Sequence, residues 1–270
     1  SAVSNATYDV EFAISENVFE KTGYTFQYWT NLTDNVGYMP GDIVSNLTAE
    51  ADGEVVLTAV WAANEYTVKY TDGDGHEAVS NATYDVEFAI SENVFEKTGY
   101  HFTGWTNETD NVGYQPGEVV SNLTASGEYE LTAIWAPNKY EVKYVANGGV
   151  GEDLYTTNTF DEAFNAAGAD VFTKQGYTYN SWTNANGDVI AVGGECINLS
   201  TGDSVTLYAA WVANDYKLAY EPGAGEGVAI TNDCVYDVEY VVSNKMFSRT
   251  GYVQAGWTNL AADVGYVFGQ

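Results

Sequence analysis

The sequence repeats itself, and that periodicity constrains the fold more than any other property, because a period of this length means an array of similar small domains. Gly23-Tyr24, Gly99-Tyr100, Gly176-Tyr177 and Gly251-Tyr252 recur at spacings of 76, 77 and 75 residues. Val3 to Tyr24 is identical to Val79 to Tyr100, a run of 22 residues. Such near-identity points to recent duplication, not to two sites with different chemistry. All seven tryptophans fall at two positions of the period. Trp29, Trp105, Trp182 and Trp257 follow the Gly-Tyr pair, and Trp61, Trp135 and Trp211 close the segments that begin at Leu57, Leu131 and Leu207. A large aromatic placed once per unit at one depth is expected to be a core anchor.

Within each unit the apolar residues alternate. Tyr66, Val68 and Tyr70 fall on one side of a run whose other side carries Thr67 and Lys69. Tyr140, Val142, Tyr144 and Tyr216, Leu218, Tyr220 repeat the pattern, as do Tyr8, Val10, Phe12 and Leu57, Ala59, Trp61. A period of two is the signature of a half-buried β-strand. Asp72-Gly-Asp-Gly and Asn147-Gly-Gly separate such runs and suit tight turns that need positive φ. Asp161 to Ala167 has the look of a helical turn but aligns with Asp9 to Ala13, so any helix there is short. The expected class is mainly β, α+β at most.

The last run of each unit ends at Trp61, Trp135 or Trp211, and the next begins at Tyr66, Tyr140 or Tyr216. The units are therefore expected at 1–63, 64–137, 138–213 and 214–270, the first lacking its first strand and the fourth its last. Four connecting residues reach at most about 14 Å, whereas a domain of this size has a radius of gyration of about 11 Å. Neighbours must nearly touch, and an elongated, semi-rigid rod is expected. The cut ends suit either a piece of a longer array or a subunit whose missing strands come from a neighbour, associating end to end.

With 38 acidic and 9 basic residues the formal charge is −29. So acidic a surface opposes binding to nucleic acid, where cations must displace phosphate counterions, and to anionic lipid. No apolar run approaches the length of a membrane span. Apolar residues at 45% are nonetheless enough for packed cores, which argues against wholesale disorder.

The residues named above resemble the Listeria–Bacteroides repeat, also known as the internalin B-repeat. Lys97-Thr-Gly-Tyr-His-Phe-Thr-Gly-Trp105, Tyr140-Glu-Val-Lys-Tyr144 with Asn147-Gly-Gly149, and Leu207-Tyr-Ala-Ala-Trp211 match its pattern closely. Tyr28, Ser181 and Ala255-Gly256 depart from it in other copies. The resemblance implies a tandem array of small β-grasp-like domains in the stalk of a secreted or cell-surface protein. It supplies no catalytic residues and no partner.

Candidate chemistry is sparse. The two histidines, His76 and His101, both lie in the second unit and have no converging set of partners, so an enzyme is not expected. Asp72-Gly-Asp74-Gly-His-Glu77 spaces acidic oxygens loosely like a Ca²⁺ loop but lacks the twelve-residue ligand pattern, which favours a hairpin turn. Asn-x-Ser/Thr acceptors for glycosylation occur at Asn5, Asn31, Asn46, Asn81, Asn107, Asn122 and Asn198. Cys196 and Cys234 lie in adjacent units, where they either bridge the junction in an oxidising exterior or remain two free thiols. The expected function is that of an extracellular structural repeat protein, a surface stalk or filament subunit without cofactor; the alternative is an adhesin whose repeats bind a host protein or glycan.

Overall fold

The computed structural model describes residues 4–269; Ser1 and Gln270, the outer limits expected for repeats 1 and 4, lie outside the described residues. Repeat 1 contributes β1 (Phe12–Ala13), β2 (Tyr24–Asn31), β3 (Val36–Tyr38), β4 (Ile43–Val44) and β5 (Leu57–Ala63). Repeat 2 contributes β6 (Glu65–Thr71), β7 (Glu77–Thr83), β8 (Phe88–Ala89), β9 (Tyr100–Asn107), β10 (Val112–Tyr114), β11 (Val119–Val120) and β12 (Gly127–Pro137). Repeat 3 contributes β13 (Lys139–Val145), β14 (Leu154–Thr159), β15 (Phe164–Asn165), β16 (Tyr177–Thr183), β17 (Val189–Ala191), β18 (Glu195–Cys196) and β19 (Ser204–Ala213). Repeat 4 contributes β20 (Asp215–Tyr220), β21 (Ile230–Val235), β22 (Trp257–Asn259) and β23 (Val264–Tyr266). No helix occurs among the described residues, so the protein is all β, and Asp161 to Ala167 holds a turn and β15 where a helical turn was an option.

The chain divides into two compact halves, 1–136 and 137–270, each holding two repeats. In the first half, repeat 2 builds a five-stranded sheet in the order β10-β9-β12-β6-β7. The hairpin β6–β7 is antiparallel, β12 lies parallel to β6, and β9–β10 completes the sheet. In the second half, repeat 3 repeats that order as β14-β13-β19-β16-β17. A hairpin at one edge and a parallel pair at the centre is the expected β-grasp-like arrangement.

The alternation read from the sequence decides which face is covered. Along β6 the pattern is buried at Tyr66, Val68 and Tyr70 and partly open at Thr67, Lys69 and Thr71. These three join Trp105, Leu131, Ala133 and Ile90 in one core. Tyr140, Val142, Tyr144, Trp182, Leu207 and Ala209 do the same in repeat 3. Val68, Leu131, Val142 and Leu207 are wholly buried, so cutting either leucine to alanine costs about 2–5 kcal/mol in transfer and cavity energy.

The two tryptophan positions differ. Trp29, Trp105 and Trp182 are buried and Trp257 partly so. Each indole N–H donates to a backbone carbonyl, of Ser15, Ser91, Ala167 and Ser243 respectively. Trp61, Trp135 and Trp211 are half-buried instead, packing against the core from its rim. Trp211 lies under the Asn147-Gly-Gly149 turn and donates to Ala146 O at 2.8 Å. A Cβ on Gly149 would meet the Trp211 ring at 2.4 Å, which explains glycine there.

Candidate functional site: a clasp between neighbouring repeats

The Lys-x-Gly-Tyr segment, Arg-x-Gly-Tyr in repeat 4, forms a tight turn in every repeat. Tyr24 N donates to Lys21 O, Tyr177 N to Lys174 O and Tyr252 N to Arg249 O, at 3.0–3.1 Å. The cation folds back over the tyrosine ring, with Lys21 Nζ 3.3 Å, Lys174 Nζ 4.1 Å and the Arg249 guanidinium carbon 4.0 Å from the centroid. The glycine holds φ of +76° at Gly23 and +77° at Gly176, a conformation that costs other residues about 1–2 kcal/mol.

Within each half of the chain, this turn is where the first repeat meets the second. In the first half, Asn64 N donates to Gly23 O at 2.8 Å, and Tyr84 N, at the start of the next repeat's turn, donates to Asn64 O at 2.9 Å. Thr25 Oγ donates to Asn64 Oδ1 at 2.6 Å. The Tyr84 ring lies over Gly23 and meets the Tyr24 ring edge to face, 5.8 Å between centroids. A Cβ on Gly23 would sit 2.3 Å from the Tyr84 ring. Finally, Tyr24 OH donates to Asp85 Oδ2 at 2.6 Å.

The second half contains the same clasp between repeats 3 and 4. Asn214 N donates to Gly176 O and Tyr236 N to Asn214 O, both at 2.9 Å. Thr178 Oγ donates to Asn214 Oδ1 at 2.7 Å and Tyr177 OH to Asp237 Oδ2 at 2.8 Å. The Tyr177 and Tyr236 rings are 5.6 Å apart, and a Cβ on Gly176 would again lie 2.3 Å from the facing ring.

Electrostatics tune the clasp. The hydrogen bond donated to Asp85, then desolvation, push the Tyr24 hydroxyl above its ordinary value. The bonds donated by Tyr24 and Asn122 hold the Asp85 carboxyl below its own. Asp85 is itself preset. It has φ +59°, its N–H donates to Asn122 Oδ1 at 2.6 Å, and Asn122 Nδ2 donates back to Asp85 Oδ1 at 2.8 Å. One carboxylate oxygen thus serves its own repeat and the other serves the neighbour. Asp9 with Asn46 and Asp161 with Asn198 form the same two-bond clamp.

The candidate glycosylation acceptors fall into three settings. Asn46, Asn122 and Asn198 hold the aspartate clamps. Asn31 and Asn107 are buried, and Asn107, 5% exposed, donates to Glu130 O and accepts from the N–H of Thr109 and Asp110. Asn5 and Asn81 are exposed.

Cys196 and Cys234 do not form the bridge that was one of their two readings; both are free, buried thiols. Cys196 belongs to the core of repeat 3 and faces Gly194 O, whereas Cys234 sits on β21 opposite Tyr216. Each strand buries its own cysteine.

Asp72 to Glu77 forms the β6–β7 turn. Asp72 is buried, and its carboxylate accepts from the N–H of Asp74 and His76 and pairs with the His76 ring at 2.6 Å. Burial alone would raise this carboxyl, but those bonds outweigh it and hold it at about 2. Its oxygens are engaged by the turn itself. Trp135 Nε1 donates to Asp72 O at 3.3 Å, packing the rim tryptophan against that turn.

The match to known families follows the same two complete repeats. The Listeria–Bacteroides repeat domain model matches residues 66–125 and 140–210. Repeats 2 and 3 are Listeria–Bacteroides repeats. That is a repeat-domain family and not an enzyme family. The departures from its pattern at Tyr28 and Ser181 fall where the ladder to the last strand shifts register, so the bulge accepts a side chain in place of glycine. Two relatives come from Evansella cellulosilytica. One, named "Putative Gly-rich membrane protein", is 26% identical over 77% of this chain; the other, named "Putative membrane protein", is 28% identical over 81%. The matched regions make up 24% and 32% of those relatives, so the chain spans about a quarter to a third of their length. No helix among the described residues is long and apolar enough to cross a membrane.

Proposed function

We propose that the chain is a load-bearing spacer of a secreted or cell-surface protein, a stalk whose repeats hold their neighbours at fixed orientation and resist tension. One observation supports this above all others. The chain enters repeat 2 on β6 and leaves on β12, and these are parallel neighbours at the centre of the sheet, paired over six residues from Tyr66–Gly127 to Thr71–Thr132. Repeat 3 does the same with β13 and β19 over five pairs. Tension along the chain pulls such strands past each other, so their hydrogen bonds are loaded together and in shear. A hairpin pulled from its open end would break its bonds one at a time. Within each half the clasp then carries the load and the orientation from one repeat into the other.

Single-molecule pulling between the two chain ends tests the proposal. Repeats 2 and 3 are expected to rupture as discrete events, and Glu141→Pro, which removes the N–H donated to Asp203 O across the parallel pair of repeat 3, should abolish one of them. A smooth extension without discrete rupture would sink the idea.

A further inference from the structure

Each clasp sets two phenols from different repeats against one another. Tyr24 and Tyr84 meet with ring centroids 5.8 Å apart and an interplanar angle of 71°, and Tyr177 and Tyr236 at 5.6 Å and 76°. All four rings are half-buried, so each is reachable from solvent. Glycine permits the approach, since a Cβ on Gly23 or Gly176 would lie 2.3 Å from the facing ring. The first tyrosine of each pair donates its hydroxyl to a carboxylate, Tyr24 to Asp85 Oδ2 at 2.6 Å and Tyr177 to Asp237 Oδ2 at 2.8 Å.

Packing requires a ring at the second position but not a phenol. Repeat 3 carries Phe160 where Tyr84 and Tyr236 stand. Phe160 N donates to Asn138 O at 2.9 Å, just as Tyr84 N does to Asn64 O and Tyr236 N to Asn214 O. The backbone is thus held the same way with or without the hydroxyl. What the hydroxyl adds is chemistry, because a phenol gives up one electron far more readily than a phenyl ring.

From these paired phenols we infer that each clasp is a site of oxidative cross-linking, where a dityrosine bond joins Tyr24 to Tyr84 and Tyr177 to Tyr236 and makes the contact between two repeats covalent. The oxidant is hydrogen peroxide acting through a haem peroxidase. One electron leaves Tyr24 as its phenolic proton passes along the existing hydrogen bond to Asp85. The neutral radical that remains shares its spin with the ring carbons beside the oxygen. Tyr84 loses one electron to the oxidant and its proton to solvent. A carbon–carbon bond then forms between one such carbon of each ring, and the hydrogens on those two carbons move to the oxygens as protons, restoring both phenols. Two phenols and one peroxide give one dityrosine and two waters, so atoms and electrons balance. Coupling turns the rings from edge-to-face to edge-to-edge, a motion of half-buried side chains. The clasp holds the second ring in contact with the first, whereas an exposed tyrosine must meet its partner by diffusion. Tyr114 and Tyr129, 6.3 Å apart within repeat 2, provide a comparison, because Tyr114 is buried and the pair joins no two repeats.

The test is oxidation of the dilute folded chain with hydrogen peroxide and a haem peroxidase. The dose is raised until Tyr252, 65% exposed, is modified, which shows that oxidant has reached the protein. Proteolysis and mass spectrometry are expected to find two intramolecular cross-linked peptides, Tyr24 with Tyr84 and Tyr177 with Tyr236, each lighter by two hydrogens than the sum of its parts. Tyr84→Phe keeps the ring, as repeat 3 does at Phe160, so it should fold, lose the first bridge and retain the second. Tyr236→Phe should do the reverse. The bridged chain should also melt at a higher temperature than the untreated one, because a cross-link constrains the unfolded state. Modified Tyr252 without either bridge, bridges spread over the tyrosines without preference, or a Tyr114–Tyr129 yield above that of the clasps would overturn the inference. It goes beyond the spacer reading and stands on the clasp geometry alone; pulling the unoxidised chain tests that reading whether or not the bonds form.

Discussion

Replacing Gly23 by alanine separates the two roles that the structure gives to this residue. The first is conformational: at φ +76° alanine pays for the left-handed region about 1 kcal/mol more than glycine does. The second is contact. The new Cβ would lie 2.3 Å from the Tyr84 ring, against an ordinary carbon–carbon separation of about 3.5 Å, so the ring must retreat by more than about 1 Å. Losing the edge-to-face contact with Tyr24 adds about 1 kcal/mol. Together these give about 2 kcal/mol, roughly 30-fold in the equilibrium for opening the clasp. Gly251 is the internal control. Its φ is +79°, but a Cβ there meets nothing within 4 Å, so Gly251→Ala should open its own turn by about 1 kcal/mol, roughly 5-fold. Amide hydrogen exchange at Asn64 and Tyr84 reads the first clasp directly, since these N–H groups bond to Gly23 O and Asn64 O. Equal effects of the two substitutions on their own turns would refute the reasoning, because they would leave the Tyr84 ring contact without energetic weight.

Four further outcomes follow from the same geometry. Asp85 is held below its ordinary value and its contribution is present above about pH 4, fading as pH falls through the lowered value; Tyr24 is raised, so its contribution holds below about pH 10 and fades as pH rises through the raised value. Exchange at Tyr84 should therefore show a plateau of protection between those limits; Tyr24→Phe should lower the plateau and remove its alkaline fall, and an unchanged profile would argue against the bond. Asp72→Ala should lower the melting temperature at neutral pH and remove a stabilisation that in the parent is lost only as pH falls from about 4 towards about 2, while EDTA leaves the melting of both proteins unmoved. Leu131→Ala and Leu207→Ala should each cost about 2–5 kcal/mol in urea unfolding; losses below about 1 kcal/mol would mean that the cores are not packed as described. In a glycosylating secretory host, mass spectrometry of folded material should find sugar at Asn5 or Asn81 and none at Asn107, whose amide is buried and bonded at both ends.

The period, the strands and the tight turns were legible because each is local. Alternation at Tyr66, Val68 and Tyr70 states which face of β6 is covered, and the structure covers that face. The clasp was not legible. Gly-Tyr marked the period, but its partners Tyr84 and Asp85 lie about 60 residues away on another repeat, and no local pattern joins them. A signal did exist: Tyr-Asp also recurs, at Tyr8-Asp9, Tyr84-Asp85 and Tyr236-Asp237. The rim tryptophans were indistinguishable from the core ones in sequence, since only tertiary packing tells Trp211 from Trp182. Cys196 and Cys234 illustrate the same limit: adjacency of two repeats says nothing about which way two side chains point.

The central claim is that the two repeats within each half are clasped into one body, not strung on a loose linker. Residual dipolar couplings on the first half of the chain, measured within the intact protein, test it most directly. Amides of β2 and β5 in repeat 1 and of β6 and β9 in repeat 2 are expected to fit a single alignment tensor, and Gly23→Ala should split it in two. Separate tensors for the two repeats in the unmodified protein would contradict the account.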